Sequence, residues 1–202
     1  MLFDTAKLDR MRRDLGYLTV EETLEQVKDN IVLDPFSLLL GRGVAIGSRN
    51  VFYPNVTMTL EAGGAISIAD RNTFHSGTAL FAGPGRIAMG SGNQFGEGGF
   101  TAKANRPGAS IEIGDHGRYL GGAAIYGETR LGSGSQILGA IAVDNCTLAA
   151  GAAHHDPDPD ARGAVLKGFG SARGLTLACG QVIQGSGVFD AKDVKPQWFF
   201  HR

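Results

Sequence analysis

The chain has 202 residues, of which 43% are hydrophobic, so it is long enough for one large domain or two small ones. Its formal net charge of −1 gives no general electrostatic reason to expect nucleic acid or an anionic membrane as a partner. No apolar stretch approaches the roughly 18 residues that cross a bilayer, and the N-terminus lacks the basic start of a signal peptide. We therefore expect a cytoplasmic protein that binds neither nucleic acid nor membrane. Cys146 and Cys179 fit a reducing compartment, and we expect two buried thiols, with a single disulfide as the alternative.

The first 33 residues are charged, poor in glycine and spaced like helices. Asp4 is a candidate cap for a first helix that Gly16 ends, and the apolar side of that helix comprises Leu8, Met11 and Leu15. Thr19 followed by Glu22 has the pattern of a capping box for a second helix, whose apolar side comprises Val20, Leu24 and Val27. We predict that residues 1–33 form a helical cap over the open strand edge of the structure that follows. A partner-binding helix pair is the alternative.

A six-residue repeat dominates residues 34–190. Its longest unbroken run places one residue every six positions: Ile113, Tyr119, Ile125, Leu131, Ile137, Val143 and Ala149. A helix repeats its apolar residues every three or four positions and a strand every two, so neither alone explains a period of six. A short strand followed by a sharp corner does explain it, and the 31 glycines supply corner residues. The pattern predicts a parallel β-helix in which each coil buries its apolar side chains by stacking on its neighbours.

The same spacing predicts two internal ladders and one corner where the coils are enlarged. Residues that share a face in consecutive coils are Phe52, Phe74, Phe95 and Tyr119, and we expect their rings to stack. Residues that share one corner are Asn50, Asn72 and Asn93, and we expect their amides to hydrogen-bond from coil to coil. The repeat is interrupted by turn-forming segments at residues 61–64, 82–85 and 105–108, which we assign to one corner of three successive coils.

Two segments depart from the repeat near its end. Residues 154–163, hereafter the histidine loop, form the longest polar interruption and contain the adjacent His154 and His155. Residues 191–202, hereafter the C-terminal tail, contain three consecutive aromatic residues beginning at Trp198. We expect the tail either to cover the last coil or to pack against another subunit.

The repeat from about residue 40 to residue 190 resembles that of the hexapeptide-repeat superfamily, whose best-known members are acyltransferases. The order of His154, His155, Pro157, Arg162 and Gly163 is similar to the interrupted coil of the galactoside and maltose O-acetyltransferase branch. This resemblance implies an all-β, single-stranded, left-handed parallel β-helix that assembles as a homotrimer. It also implies acetyl-CoA or another acyl-CoA as co-substrate, and a small or sugar-like acceptor.

Histidine chemistry fits acyl transfer, since an imidazole with a pKa near 6.5 can remove the proton of an acceptor hydroxyl or amine at neutral pH. The resemblance places the general base on His155, which is nearest to Pro157, with His154 as the substitute. We expect Asp156, Asp158 or a carbonyl to orient the ring. Lys167, Gly168 and Arg173 lie in a glycine-rich segment that could contact the phosphates and the thin pantetheine arm of CoA.

Two other classes of function remain open. One is a non-catalytic β-helix scaffold or binding protein that uses its helices and aromatic tail as contacts. The other is a metalloenzyme like the γ-class carbonic anhydrases, in which His75 and His116 would join a histidine of the loop. That family has two of its ligands close together in one coil, and the chain shows no such pair outside the adjacent His154 and His155, so we expect no metal.

Overall fold

The predicted repeat forms a parallel β-solenoid in a computed structural model that describes residues 5–201 of the chain. Two α-helices, α1 (Thr5–Asp14) and α2 (Val20–Gln26), precede the strands. In chain order the strands are β1 Ile31–Val32, β2 Leu39–Leu40, β3 Ala45–Ile46, β4 Val51–Phe52, β5 Thr57–Leu60, β6 Ala65–Ile68, β7 Thr73–Phe74, β8 Thr78–Ala82, β9 Arg86–Met89, β10 Gln94–Gly96, β11 Phe100–Ala104, β12 Ser110–Ile113, β13 Arg118–Leu120, β14 Ala123–Tyr126, β15 Glu128–Leu131, β16 Gln136–Leu138, β17 Ile141–Asp144, β18 Thr147–Leu148, β19 Val165–Arg173, β20 Thr176–Leu177, β21 Gln181–Val188 and β22 Lys195–Pro196. Short 3-10 helices cover Pro159–Ala161, Ala191–Asp193 and Gln197–Phe200.

Three strands make one coil, and equivalent strands of successive coils pair in parallel. The first face contains β1, β4, β7, β10, β13, β16, the start of β19, and β21; the second contains β2, β5, β8, β11, β14, β17 and the end of β19. The third face is a separate seven-stranded sheet in the order β20-β18-β15-β12-β9-β6-β3. The prediction of a parallel β-helix with an N-terminal helical segment is therefore confirmed, and its left-handed winding stays a prediction.

The six-residue register is confirmed for most of its longest run and wrong at the end. The side chains of Ile113, Tyr119, Ile125, Leu131, Ile137 and Val143 are all buried in the core. At the next position Leu148, not Ala149, pairs with Leu131 and is buried, while Ala149 is partly exposed. The corner at Asn145 is one residue shorter than the equivalent corner at Gly127, since Leu148 follows Val143 by five positions whereas Leu131 follows Ile125 by six.

Both predicted ladders are confirmed. The rings of Phe52, Phe74, Phe95 and Tyr119 stack in sequence with centroid separations of 5.2, 5.0 and 5.5 Å. In the asparagine ladder, the side-chain oxygen of Asn50 accepts hydrogen bonds from the backbone and amide nitrogens of Asn72 at 2.8 and 3.1 Å. Asn72 binds Asn93 in the same way, and Asn30 extends the ladder to the first coil.

The enlarged corner is also confirmed, since the strand pairing places Leu60, Ala82 and Ala104 side by side. The backbone N–H of Glu61 donates to the carbonyl of Ala82, and that of Gly83 donates to the carbonyl of Ala104. The three turn-forming segments therefore follow equivalent strand ends in three successive coils.

The cysteine prediction is half right: Cys146 is a buried free thiol, but Cys179 is exposed, and its sulfur lies 3.3 Å from the carbonyl oxygen of Arg162.

The N-terminal helices lie against the first coil. The backbone of Leu18 donates to the carbonyl of Leu40, and the side chain of Gln26 donates to the carbonyl of Val44. The capping box is confirmed: Glu22 N–H donates to Thr19 Oγ1 at 3.1 Å, and Thr19 N–H donates to Glu22 Oε2 at 2.8 Å. The predicted cap Asp4 lies outside the described residues.

The predicted apolar side of the first helix is wrong at two of its three residues, since only Leu8 is partly buried. Met11 and Leu15 are exposed, and the buried residue of the helix is Arg12. The Arg12 guanidinium donates to the carbonyls of Leu18, Pro35 and Phe36, so its long side chain fills the space between the helix and residues 35–36. Those carbonyls satisfy the charge, which is why a polar residue occupies the inward side.

The C-terminal tail covers the last coil. Strand β22 pairs antiparallel with β21, and the buried side chain of Gln197 donates to the carbonyl of Gly163 at 2.8 Å. The backbone N–H of Trp198 donates to Asp160 Oδ1 at 3.0 Å, which joins the tail to the histidine loop. Of the two alternatives for the tail, the structure shows the first, although Trp198 and Phe200 each keep more than 40% of their surface exposed.

Candidate functional site

The histidine loop is held in shape by its own aspartates and arginine. It closes at its base, where Ala152 and Arg162 form a parallel bridge. Asp156 Oδ1 accepts from the backbone N–H of Asp158, and Asp158 Oδ1 accepts from that of Asp160. Arg162 Nε and Nη2 both donate to the carbonyl oxygen of Asp156. These local bonds fix the backbone turns of the alternating aspartate and proline residues.

The aspartates therefore do not orient a histidine as expected. Asp156 and Asp158 use their side-chain oxygens on backbone N–H groups, and within residues 5–201 neither ring of the histidine pair makes a hydrogen bond to a side chain or a carbonyl. The rings of His154 and His155 instead contact each other edge to face, with centroids 5.2 Å apart.

A cavity of about 230 Å³ lies between the histidine loop, the first face of the solenoid and the C-terminal tail. Its floor consists of outward-pointing side chains of successive first-face strands, with Arg118 beside Gln136 in one row and Leu138 beside Lys167 in the other. One wall comes from the histidine loop through His154 and Arg162. The other comes from the tail through Gln197, Phe200 and His201.

The charge of this cavity is strongly positive. Its lining contains Arg118, Arg162 and Lys167, and within the described part of the chain it contains no acidic side chain. Arg162 Nη1 also lies 3.3 Å from His201 Nε2. A cavity with three cations and no carboxylate can hold an anion without desolvating a compensating negative charge.

His154 is the histidine that faces this cavity. Burial, followed by the positive charges of Arg118, His155 and Arg162, lowers the pKa of His154 below its ordinary value of 6.5. The ring is therefore neutral at pH 7 and can accept a proton. His155, the first choice from the sequence, is exposed and does not line the cavity.

The three residues predicted to contact CoA are separated. Lys167 lines the cavity, whereas Arg173 lies at the far end of β19, with its Nε 3.7 Å from Asp144 Oδ2. Gly168 sits at the corner between the first and second faces with φ at +124°, and a Cβ there would lie 1.9 Å from the carbonyl oxygen of Gly185. The close packing of the coils is therefore a sufficient reason for glycine at position 168, without any contact to CoA.

The histidines considered for a metal site lie elsewhere. His75 packs against Tyr53 with the ring planes tilted by 31° and the centroids 4.8 Å apart, and its Nε2 is 3.8 Å from Glu97 Oε1. His116 occupies a corner with φ at 56°. Across residues 5–201 no three histidine, cysteine, aspartate or glutamate side chains group in a way that could hold a metal ion.

Sequence reasoning missed Arg118, Gln136, Gln197 and His201 as parts of this site. Arg118 precedes the ladder residue Tyr119, so the repeat already predicted that its side chain points outward. Its proximity to Lys167 could not be predicted, because that depends on how many coils separate residues 118 and 167. Gln197 and His201 reach the cavity only because the tail turns back over the last coil.

Comparison of the chain with protein-family models and with curated proteins finds no match to either. Within the part of the chain that the structure describes, no helix combines the length and apolar character needed to cross a membrane.

Proposed function

We propose that this protein is a CoA-dependent acyltransferase that moves an acyl group, most simply acetyl, to a hydroxyl or amine of a small acceptor. The observation that carries the proposal is a neutral histidine, His154, facing a cationic cavity between a loop and the solenoid. His154 takes the proton of the acceptor as its oxygen or nitrogen attacks the thioester carbonyl. The carbon–sulfur bond then breaks, and the proton passes to the departing thiolate to give free CoA.

The size of the cavity supports its use for the acceptor rather than for the whole of CoA. A volume of about 230 Å³ is below the 300–1,000 Å³ typical of sites that enclose drug-sized ligands. The nucleotide of CoA would therefore lie outside it, with only the acyl end near His154. Contacts of CoA with Lys167, Gly168 and Arg173 stay a prediction, as does the homotrimer, which sedimentation analysis tests by comparing the particle mass with that of one chain.

The decisive experiment compares two adjacent histidines. His154→Ala should lower the release of CoA thiol from acyl-CoA by about 10²-fold or more, the usual contribution of a general base. His155→Ala is the matched control, since it removes an exposed histidine one position away, and it should retain near wild-type turnover. Loss of turnover in the His155 variant alone would assign the general base to His155. Absence of turnover in the wild type with a panel of acyl thioesters and acceptors would reject the proposal that the protein is an acyltransferase.

One observation favours the scaffold as a second candidate. Several large apolar side chains are exposed at the C-terminal end of the solenoid: Phe169, Val188, Trp198, Phe199 and Phe200. Exposed apolar patches of this kind mark protein contacts. A thermal-shift titration separates the two functions, because acetyl-CoA should raise the melting temperature of an acyltransferase and leave that of a scaffold unchanged.

A further inference from the structure

Arg118 is the best clue to what the cavity holds. It is partly buried, its Nε is shielded from solvent, and that Nε has no hydrogen-bond acceptor among residues 5–201. Arg12 also has a buried Nε without a partner, but its other guanidinium nitrogens donate to three carbonyls. For Arg118 the structure gives no side-chain hydrogen bond and no ion pair with any described residue. A buried N–H group left without an acceptor is costly, so an acceptor from outside the chain that reached Nε would stabilise Arg118.

Four other arginines of the solenoid have a carboxylate nearby, and the arginines without one, at positions 49, 71 and 106, are exposed to solvent. Arg86 and Arg130 both bind Glu112, Arg42 binds Glu22, and Arg173 lies near Asp144. The cavity brings Arg118, Arg162 and Lys167 together, and no side-chain carboxylate of residues 5–201 lines it. Arg118 and Lys167 project from the floor strands β13 and β19, two coils apart, and Arg162 comes from the loop wall, so the three cations line two sides of the cavity.

These features favour a phosphate over a carboxylate. A phosphate monoester carries about −1.5 to −2 charges at pH 7 and presents three acceptor oxygens in a tetrahedral arrangement. A carboxylate has one charge and two oxygens in a plane, which suits a single arginine. Three separate cations around about 230 Å³ match the first group better.

We infer that the cavity recognises the phosphate monoester of a phosphorylated acceptor, held by Arg118, Arg162 and Lys167 beside His154. The assignment to the acceptor rests on the proposed function, whereas the phosphate site itself does not. The phosphates of CoA are an alternative source of the same group. They are less compatible with this position, because the long pantetheine arm keeps them away from the thioester and hence from the base that must reach the acceptor.

The binding test uses three small molecules that differ only in one group: glycerol 3-phosphate, glycerate and glycerol. Calorimetry at constant ionic strength should show binding of glycerol 3-phosphate, weaker binding of glycerate and none of glycerol. Arg118→Gln and Lys167→Gln should each weaken glycerol 3-phosphate binding by about tenfold or more, the effect expected for loss of one charged hydrogen bond. The matched controls are Arg106→Gln and Lys192→Gln, which remove exposed cations outside the cavity lining and should leave binding unchanged.

Three outcomes would overturn the inference. The first is no binding of glycerol 3-phosphate, and the second is glycerate binding as tightly. The third is equal binding of glycerol 3-phosphate by the wild type and both cavity variants. If Arg118→Gln fails to fold, Lys167→Gln decides the test, because Lys167 is exposed and its substitution should not disturb the core.

A competition experiment then identifies the source of the phosphate. Displacement of glycerol 3-phosphate by CoA but not by dephospho-CoA would assign the site to the phosphate monoester of CoA and reject the acceptor assignment. Simultaneous binding of CoA and glycerol 3-phosphate would support the acceptor assignment. Because binding is measured without turnover, this result is independent of the thiol-release assay.

Discussion

Arg162 Nη1 lies 3.3 Å from Nε2 of His201, although the two residues are 39 positions apart. Arginine can only donate, so this contact is a hydrogen bond when His201 Nε2 carries no proton. It joins the histidine loop to the C-terminal tail directly above the cationic cavity. The loop and tail are therefore parts of one enclosure, and the site depends on both.

Removal of the buried amide that fastens the tail should loosen that enclosure. Gln197→Ala deletes the donor to the carbonyl of Gly163 and leaves that carbonyl without this partner, so we expect a loss of about 1–3 kcal/mol in unfolding free energy. Urea denaturation measures the change. Gln94→Ala, on the exposed side of β10, is the matched control and should stay within about 0.5 kcal/mol of wild type. An unchanged midpoint for Gln197→Ala would mean that the tail is not held by this bond.

The asparagine ladder should be a major source of stability in the first coils. Asn72→Ala removes an oxygen that accepts two bonds from Asn93 and an amide that donates to the carbonyl of Gly90. Because these groups are buried, we expect a cost of about 3 kcal/mol or more, measured by chemical denaturation. Asn105→Ala, an exposed residue of the enlarged corner, should cost far less. Similar losses for both variants would show that the ladder contributes no more than an ordinary surface residue.

The corner at Gly168 should tolerate no side chain. Gly168→Ala adds a Cβ 1.9 Å from the carbonyl oxygen of Gly185 at a φ of +124°, so the coils must separate locally and the protein should lose at least about 2 kcal/mol of stability. Gly185→Ala is the control, since its Cβ meets no atom within 4 Å and its φ is not in the left-handed region. Equal melting temperatures for the two variants would contradict the close approach of the backbones at this corner.

The rate of acyl transfer should fall on the acidic side of an apparent pKa below 6.5. His154 must be neutral to accept a proton, and burial together with the charges of Arg118, His155 and Arg162 lowers its pKa. Lys167 and His201 also line the cavity. Arg118→Gln removes one positive charge, so the pKa of His154 should rise and the acidic limb should move to higher pH. The measurement is kcat/KM against pH for both proteins; a shift to lower pH, or a limb unchanged by the substitution, would contradict this assignment.

The core of the solenoid was predictable because the side chains that stack from coil to coil recur at a regular spacing in the sequence. Phe52, Phe74, Phe95 and Tyr119 each contact the equivalent residue of the next coil, so one spacing rule gave both the fold and the ladders. The rule failed at Ala149, where a corner shorter by one residue moved the buried position to Leu148. The loss of one residue from a single corner leaves no periodic signal in the sequence.

The candidate site was only partly predictable. The histidine loop was found because it interrupts the repeat, but which of the two histidines turns inward depends on how Arg162 and the aspartates fold the loop. The cationic floor combines Arg118 with Lys167, two coils apart, and the tail adds Gln197 from the far end of the chain. Such contacts depend on the number of residues in every intervening corner, which spacing alone does not fix.

Trp198 is the single tryptophan of the chain, and it lies in the tail, half exposed, with its backbone bonded to Asp160 of the histidine loop. Its intrinsic fluorescence therefore reports on the contact between the tail and the histidine loop, because no second tryptophan contributes to the emission. Excitation near the red edge of the protein spectrum thus gives a label-free optical signal for how the tail sits, with no probe to attach.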